Sequence, residues 1–328
     1  MPTNLPPEYF AAEHRYREAK TPKEKITCLE ELIGTIPKHK GTDKLRADLR
    51  RKLSKLKSTA QTKKTTGKHE SAFHINKEGA GQVIVIGAAN VGKSSLVAAL
   101  THATPDIAGF PFSTWKPTPG MMPFEDIQIQ LIDTPPLNRE YVEPELFDLL
   151  RRSDLALIVV DLQTAPIDQL SITAASLHEH RIIPKHQQAR YANRQKFSGL
   201  SCFVFLNKND DEASDENVDI FCELLEEDWP YLPGSVATGR NLEALKQEIF
   251  ERLDIIRIYS KAPGKKPDFT APFILQQGST VADFAGKVHQ DFLKNLKSAR
   301  VWGEGVYDGQ PVQRDHVLHD RDVVELHM

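Results

Sequence analysis

The stretch that most limits how this chain can fold is GAANVGKSS, residues 87–95. Gly87, Gly92 and the pair Lys93 and Ser94 satisfy the spacing GxxxxGK[ST]. An apolar run, QVIVI, precedes the stretch, and a Leu- and Ala-rich segment follows it, so it lies between a predicted strand and a predicted helix. Glycines let successive backbone N–H groups curl round a phosphate, and the helix N-terminus adds positive potential. A chance glycine turn rarely fills every position in this context, so the pattern predicts a phosphate-binding loop.

The side chains of this loop have separate predicted tasks. Lys93 reaches the β- and γ-phosphates of a nucleotide, and Ser94 binds Mg²⁺. Asn90 lies inside the loop and is a candidate ligand for a monovalent cation such as K⁺, although Asn is also a common turn residue. Val91 and Ser95 complete the predicted nucleotide contacts of the loop.

A second phosphate-linked feature is the run QLIDTPPL, residues 130–137. A strand that ends in Asp is a common way to hold Mg²⁺ beside a phosphate, so Asp133 joins the predicted metal site. GTPases usually place a glycine three residues after this Asp, where this chain has Pro136. The run therefore raises the question of whether hydrolysis survives.

Strands and helices alternate after residue 81, which predicts an α/β domain with a mostly parallel sheet covered by helices on both faces. From residue 263 the order changes to a strand, a helix predicted at 280–296 and two further strands, which indicates a small α+β module. We therefore predict an N-terminal helical basic arm at 1–60, a linker at 61–80, a nucleotide-binding domain at 81–262 and a C-terminal domain at 263–328. The last predicted helix of the nucleotide-binding domain has the sequence NLEALKQEIFERLDII.

The run LNKND, residues 206–210, indicates which base the site selects. In the pattern NKxD, the carboxylate of Asp210 accepts hydrogen bonds from N1–H and the exocyclic amine of guanine, which adenine cannot offer. Asn207 and Lys208 are predicted to support the base and the phosphate loop. Ser235 and Val236, in GSVATG, bring their backbone near the base oxygen. A P-loop kinase or ATPase is the less favoured alternative, because ATP would leave the Asp210 carboxylate unpaired.

The N-terminal arm carries strong local charge although the whole chain has a formal net charge of −3. Apolar stripes predict two helices, one with Leu29 and Leu32 and the next with Leu45, Leu49 and Leu53. Residues 38–69 contain twelve Lys or Arg against two Asp, a local net charge of +10. This run is equally compatible with a solvated helix face and with a surface that contacts the phosphate backbone of RNA.

Composition narrows the protein class. The three cysteines have no metal-type spacing, which fits a reducing compartment. The N-terminus lacks the features of a signal peptide, and no apolar run approaches the ~20 residues of a membrane span. We expect a cytoplasmic protein with no membrane contact.

The motifs GAANVGKSSL, FPFSTWKPTPG, LIDTPPL and LNKND together resemble those of the Obg and developmentally regulated GTP-binding proteins. The stretch from YSKAPGKKPDF to RVWG, followed by DHVLHDRDVVEL, closely resembles the C-terminal TGS module of the developmentally regulated branch. The resemblance covers most of residues 40–328. It implies a P-loop GTPase domain followed by a β-grasp TGS domain, with GTP or GDP and Mg²⁺ as ligands.

The resemblance also assigns residues in the two switches. Thr114 would bind Mg²⁺ and the γ-phosphate, and so acts in catalysis together with Lys93, while Asp133 would hold Mg²⁺ through water. Trp115 is expected to pack rather than react. Leu137 replaces the glutamine of Ras-like proteins, as is usual in this family. Pro136 has no N–H, so the usual backbone contact of the second switch with the γ-phosphate cannot form.

Two functions follow as expectations. The first is a GTP-dependent switch with slow, Mg²⁺-dependent and K⁺-stimulated hydrolysis that acts on ribosome- or RNA-linked partners. Exposed basic residues of the TGS module, namely Lys265, Lys266, Lys287, Lys294, Lys297 and Arg300, and the basic arm would contact them. The alternative is a GTP-stabilised scaffold with little hydrolysis, whose TGS module binds a protein.

Overall fold

The computed structural model describes residues 73–101, 116–137, 142–191 and 197–327, together with residues 15, 16, 28, 29, 31–33, 35, 49 and 52 of the N-terminal unit. The chain divides into two compact units, Met1–Ser71 and Ala72–Met328. In the first unit the described residues are helical, as predicted, and Leu29, Leu32 and Leu49 are buried. Of the basic run at 38–69, only Leu49 and Lys52 are among the described residues.

The second unit begins with a nucleotide-binding-type α/β domain, which we call the P-loop domain (residues 73–254). Its strands are β1 (Gln82–Ile86), β2 (Thr118–Phe124), β3 (Ile127–Asp133), β4 (Leu155–Asp161), β5 (Ile182–Pro184), β6 (Ser198–Asn207) and β7 (Tyr231–Pro233). Its helices are α1 (Lys93–Thr101), α2 (Pro144–Arg152), α3 (Pro166–Glu179), α4 (Asp215–Leu224) and α5 (Leu242–Arg252), with 3-10 turns at Lys185–Tyr191 and Glu212–Ser214.

These strands form one sheet in the order β2-β3-β1-β4-β6-β5, and β7 also pairs with β6. All of its pairings are parallel except that of β2 with β3. Alternate residues of the central strands belong to two separate hydrophobic clusters, one packed with α2, α3 and α4 and the other with α1 and α5. The predicted parallel sheet with helices on both faces is therefore confirmed.

Parallel pairing brings the carboxyl ends of the strands to one edge. Asp133 at the end of β3 is in register with Val85 of β1, and Asp161 at the end of β4 is in register with Asn207 of β6. In open α/β sheets this edge is where ligands bind. The fold thus gathers the predicted phosphate, metal and base residues from segments far apart in sequence.

The end of the predicted linker differs from the prediction. Phe73 is buried in the cluster with α2 and α3, and Ala80 N–H donates to Gln128 O at 2.7 Å. Gly79 has φ +71°, and a Cβ there would lie 2.3 Å from Gln128 O. Residues 73–80 are therefore packed against the P-loop domain rather than linking it, because one aromatic side chain and one close backbone approach outweigh a polar composition.

The C-terminal domain (residues 255–327) has a five-stranded sheet in the order β11-β10-β12-β8-β9. Its strands are β8 (Ile255–Ser260), β9 (Phe273–Gln276), β10 (Ser298–Trp302), β11 (Gln310–Val312) and β12 (Val323–His327). The helices α6 (Val281–Val288) and α7 (Gln290–Asn295) follow β9, and a capping box of Thr280 and Asp283 begins α6. Phe284 and Ala285 of α6 pack on the sheet, as expected for a β-grasp domain.

Two predicted boundaries in this region were wrong. The second sheet begins at Ile255 rather than at residue 263, because Asp254 adopts a left-handed φ of +51° and ends the helical run after Arg252. The apolar pattern LDII could not distinguish the end of a helix from the start of a strand. The predicted helix at 280–296 is broken at His289, which has extended backbone and whose ring accepts from Asp291 N–H to begin α7.

The described residues include no helix with the length and apolar character needed to cross a bilayer.

We predict that Phe284→Ala destabilises the C-terminal domain by about 3–5 kcal/mol, because it removes a fully buried ring from the single cluster between α6 and the sheet. Native-state hydrogen exchange of the β10 amides measures this loss. Tyr307→Ala is the matched control, because that ring is 86% exposed and its removal should change stability by less than about 0.5 kcal/mol. Equal effects of the two substitutions would contradict the packing described here.

Candidate functional site

The phosphate loop connects β1 to α1, and its shape requires glycine at both ends. Gly87 has φ +145° and Gly92 has φ +96°. A Cβ on Gly87 would lie 2.4 Å from Val159 O, and one on Gly92 would lie 2.4 Å from Asn207 Nδ2. Both distances are far below van der Waals contact, so the neighbouring strands β4 and β6 dictate the two glycines. A side chain at either position would therefore clash with the strand next to the loop.

Lys93 is the first residue of α1 and only 6% exposed. Its ammonium group donates to Ala88 O at 2.6 Å and to Gly87 O at 3.1 Å, so it lies over the loop. A buried ammonium needs oxygen partners. Phosphate oxygens in the loop would supply stronger ones, because a charge-assisted contact exceeds one to a neutral carbonyl.

Ser94 and Asp133, the two predicted Mg²⁺ contacts in the described part of the chain, are brought together. Ser94 Oγ donates to Asp133 Oδ2 at 2.6 Å. Asp133 is 5% exposed and ends the strand next to the loop. A hydroxyl and a carboxylate oxygen are the hard ligands that Mg²⁺ prefers, so the donor set fits this cation. The third predicted ligand, Thr114, lies outside the described residues, as do Ser113 and Trp115.

The turn after Asp133 is anchored to the phosphate loop. Thr134 Oγ1 donates to Val85 O at 2.7 Å, and Leu137 N–H donates to Gly87 O at 3.3 Å. Pro135, Pro136 and Leu137 are all buried. Pro136 has no N–H, so the backbone donor in this turn nearest the loop is Leu137, and its partner is a loop carbonyl. Sequence reasoning identified the missing donor at Pro136 but not the contact of Leu137.

Asn207 connects the phosphate loop to the predicted base loop. Its side-chain Nδ2 donates to Val91 O at 2.8 Å, and its Oδ1 accepts from Val236 N–H at 3.1 Å. The side chain is buried, so both of its polar groups must find partners inside the protein. The predicted supporting role of Asn207, and the placement of Val91 and Val236 beside it, agree with this geometry.

Asp210 and Ser235 face each other at the base end of the site. Ser235 Oγ donates to Asp210 Oδ1 at 2.5 Å and accepts from Thr238 N–H at 3.1 Å. Asn209 N–H donates to Gly234 O at 3.0 Å, which ties the two loops together. The carboxylate is thereby oriented and half-buried at the edge of the site.

Lys208 adopts a left-handed φ of +68°, and its ammonium pairs with Asp161 at the end of β4. Gln163 Nε2 donates to Lys208 O at 3.2 Å. The 5% exposed Asp161 was not predicted as a site residue. Asp161 ends the predicted strand LALIVVD. Only the pairing of the strands shows that it lies beside Asn207.

Arg240 is a second residue that sequence reasoning missed. Its guanidinium donates to Asn209 Oδ1, to Asp211 O at 2.7 Å and to Asp215 Oδ2 at 2.9 Å. Hydrogen bonds from Arg240 and Asn209 lower the pKa of Asp215. These contacts of Arg240 hold the chain on both sides of Asp210, and so they maintain the shape of the base loop.

Asn90 and Ser95 complete the set of predicted loop residues. Asn90 is exposed with φ +65°, a left-handed conformation that Asn tolerates better than most residues. Ser95 is half-buried in the first turn of α1. Their contacts with a nucleotide or a cation remain predictions.

Two family profiles match the chain. Residues 82–208 match the profile described as 50S ribosome-binding GTPase, and residues 256–328 match the TGS domain. The second match starts inside β8, in agreement with the corrected boundary.

Relatives match the chain over most of their own length. An uncharacterized GTP-binding protein of Methanocaldococcus jannaschii is 28% identical over 93% of this chain and 92% of its own. Developmentally-regulated G-protein 1 of Arabidopsis thaliana is 26% identical over 92% of this chain and 90% of its own.

Among solved structures, the YchF GTPase of Schizosaccharomyces pombe is similar with a TM-score of 0.50 and 12% identity, over 77% of this chain and 99% of that one. That likeness concerns the fold alone. The chain joins a P-loop GTPase domain to a C-terminal TGS domain, and its homologues are the developmentally regulated GTP-binding proteins.

Proposed function

We propose that this GTP-binding protein is a cytoplasmic switch that hydrolyses GTP slowly with Mg²⁺. The observation that carries the proposal is the 2.6 Å contact between Ser94 Oγ and Asp133 Oδ2 at the phosphate loop. Two Mg²⁺ ligands from different elements meet beside a buried lysine, which is the arrangement that phosphoryl transfer needs.

The residues of the chain have distinct roles in this proposal. The loop N–H groups and Lys93 bind the phosphates and neutralise the charge that develops on the γ-phosphoryl group. Ser94, Asp133 and Thr114 would hold Mg²⁺, which supplies further charge neutralisation when bound. The Asn207 bridge keeps the phosphate loop and base loop at a constant separation, so that base binding positions the phosphates.

A monovalent cation is the second proposed cofactor. Asn90 is an exposed residue of the loop, between Ala89 and Val91. Its carbonyl oxygen is a suitable ligand for K⁺, whose charge would partly replace that of a catalytic arginine. Intrinsic rates of unaided GTPases are on the order of 10⁻⁴ to 10⁻² s⁻¹.

A second candidate function is a GTP-stabilised scaffold with negligible hydrolysis. The observation that favours it is the anchored turn, in which Leu137 N–H is bonded to Gly87 O and Pro136 is buried without a donor. A turn held to the phosphate loop by its own backbone responds less to the γ-phosphate than one that bonds it directly. GTP would then act as a structural ligand, and the TGS domain would bind a protein.

A ribosomal or RNA partner is the third part of the proposal. It is supported by the match of residues 82–208 to the 50S ribosome-binding GTPase profile and by exposed basic residues. The six predicted TGS residues do not lie on one face. Arg300 alternates with Ala299 and Val301, which pack against the helices, whereas Lys287 and Lys294 belong to those helices. The helical face, with Lys287, Lys294 and the nearby Lys297, is therefore the better candidate.

We predict single-turnover GTP hydrolysis with Mg²⁺ that is faster in K⁺ than in Na⁺, because Asn90 would hold the smaller Na⁺ less well. Asn90→Ala should remove the difference between the cations. Lys93→Ala should lower the rate by about 10²-fold or more, because it removes the charge nearest the reacting phosphate.

Pro136→Gly distinguishes the two functions, because it restores a backbone donor at the γ-phosphate. If the parent protein turns over GTP and the variant changes the rate little, the prolines are tolerated in a working enzyme. If the parent is inactive with either cation and the variant is active, the scaffold function is correct. Pro135→Gly serves as the matched control, because it changes the same turn one position earlier.

We predict that Asp210→Asn weakens GTP binding by about 10²-fold, because two charge-assisted hydrogen bonds to guanine are weakened. Equilibrium titration with a fluorescent GTP analogue measures the change. Asp211→Asn is the control, because the neighbouring side chain caps Ser214 instead of facing Ser235. Equal losses in both variants, or preferential binding of ATP by the parent protein, would refute guanine selection.

We predict that the protein co-sediments with ribosomes in the GTP-bound state and that Lys287→Glu with Lys294→Glu weakens the association. The association should also weaken steeply with salt, because phosphate contacts release counterions. Lys265→Glu with Lys266→Glu is the control for net charge. Co-sedimentation that does not depend on the nucleotide would count against a switch.

A further inference from the structure

The 125–126 turn, which joins β2 to β3, contacts the TGS domain through charged side chains. Glu125 accepts hydrogen bonds from Arg257 and Arg321. Asp126 accepts from Arg257 Nη1 at 2.9 Å and from the hydroxyl of Tyr259. The GTPase and TGS domains therefore share one ion-pair cluster at the tip of this hairpin.

Arg257 is the centre of the cluster and is only 3% exposed. Besides Glu125 and Asp126, its guanidinium binds Asp320, with Nε–Oδ1 and Nη2–Oδ2 distances of 3.1 Å and 2.6 Å. Burial opposes its charge, but the hydrogen bonds to the three carboxylates outweigh burial and raise its pKa. Hydrogen bonds from Arg321 and Arg257 likewise lower the pKa of Glu125.

Aromatic packing makes the same contact rigid. The Arg257 guanidinium lies 4.8 Å from the ring centroid of Phe250, at the end of α5. Phe250 in turn stacks on Phe124, the last residue of β2, with centroids 4.9 Å apart. The hairpin tip is therefore held by both charge and stacking, and only residues 253–254 separate α5 from the first strand of the TGS domain.

The other end of this hairpin lies at the nucleotide site. Thr118 at the start of β2 is in register with Asp133 at the end of β3. Strands of this length place the tip about 23 Å from Asp133. β2 is an edge strand that pairs with β3 alone among the described strands, and it follows the segment that contains Thr114. The hairpin thus connects the two predicted switch positions with the TGS domain.

The second switch offers a weaker route for nucleotide sensing. Leu137 N–H is bonded to Gly87 O, and Pro136 has no donor for the γ-phosphate. A structural change at the start of β2 or the end of β3 is transmitted along the hairpin to the 125–126 turn. That turn contacts the TGS domain through a buried charge, Arg257.

We propose that the cluster of Glu125, Asp126 and Arg257 couples the nucleotide state to the TGS domain through the β2–β3 hairpin. These are positioning residues, since none of them touches the nucleotide loop. The inference rests on the proposed function only in requiring that GTP and GDP bind. By linkage, a partner that pulls the TGS domain away from the hairpin would change the relative affinities for GTP and GDP.

The test compares equilibrium dissociation constants for GDP and for a non-hydrolysable GTP analogue, so it does not depend on turnover. Glu125→Gln with Asp126→Asn removes the charges of the turn and keeps its shape. We expect the ratio of the two constants to change by 5-fold or more, the lower end of ordinary allosteric coupling. Glu216→Gln with Asp219→Asn, on exposed positions of α4, is the control with the same charge change.

A structural role alone would move both dissociation constants together and leave their ratio unchanged. Hydrogen exchange of the β8 amides gives an independent readout. It should differ between the GDP and GTP-analogue complexes of the parent protein and lose that difference in the variant. If circular dichroism shows the double variant to be unfolded, Arg321→Gln removes the 58% exposed partner of Glu125, with an expected ratio change of 2-fold or more.

Three results would contradict the proposed function or the inference, and each can be told apart from the other two. Failure of the parent protein to bind either nucleotide refutes the proposed function and the inference together. Binding of both nucleotides with an unchanged ratio in the variants refutes the inference alone. A ratio that changes equally in the α4 control would attribute the effect to net charge and would also refute the inference.

Discussion

The buried amide of Asn207 is the interaction on which the site depends. Its two hydrogen bonds, to Val91 O and from Val236 N–H, connect the predicted phosphate loop with the predicted base loop. The same side chain approaches Gly92 so closely that no Cβ fits there. One residue at a strand end therefore determines the separation of two loops and the identity of a glycine in one of them. Parallel pairing of β1, β4 and β6 places Asn207 and both loops at one edge of the sheet.

Polar side chains are arranged in pairs around this edge. Lys208 pairs with Asp161, Arg240 with Asp215, and Ser94 with Asp133. Asp161 is the buried member of its pair, so loss of Lys208 would leave a desolvated carboxylate without its ionic partner. The pairs thus keep the loops in one arrangement at neutral pH. The contact between the two domains is also held by paired charges. The guanidinium of Arg257 is 3% exposed and binds carboxylates of both domains, Asp126 and Asp320.

The two prolines after Asp133 change how the second switch is held. Pro136 has no N–H, and the turn is held instead by Leu137 N–H, whose partner is the carbonyl of Gly87. Lys93 donates to that same carbonyl, so the turn and the phosphate-binding lysine share one acceptor. A ligand that draws Lys93 toward phosphate oxygens would leave Gly87 O to Leu137 alone. The sensing of the nucleotide and the anchoring of the turn are linked through this single atom.

Features that depend on local spacing could be predicted from the amino-acid sequence. The phosphate loop, the strand that ends in Asp133, the NKND run and the alternation of strands and helices follow from residues close together in the chain, whose physical requirements are local. Long-range contacts and one helix–strand boundary became visible only in the tertiary structure. The pairing of Arg257 with Asp126 spans 131 positions, and the boundary at Asp254 depends on a backbone reversal inside a continuous apolar pattern. Asp161 and Arg240 gained their roles from sheet register and loop contact, because such contacts leave no periodic trace in the sequence. Burial and pairing across long separations arise only when the sheet has formed, and for that reason one-dimensional patterns could not reveal them.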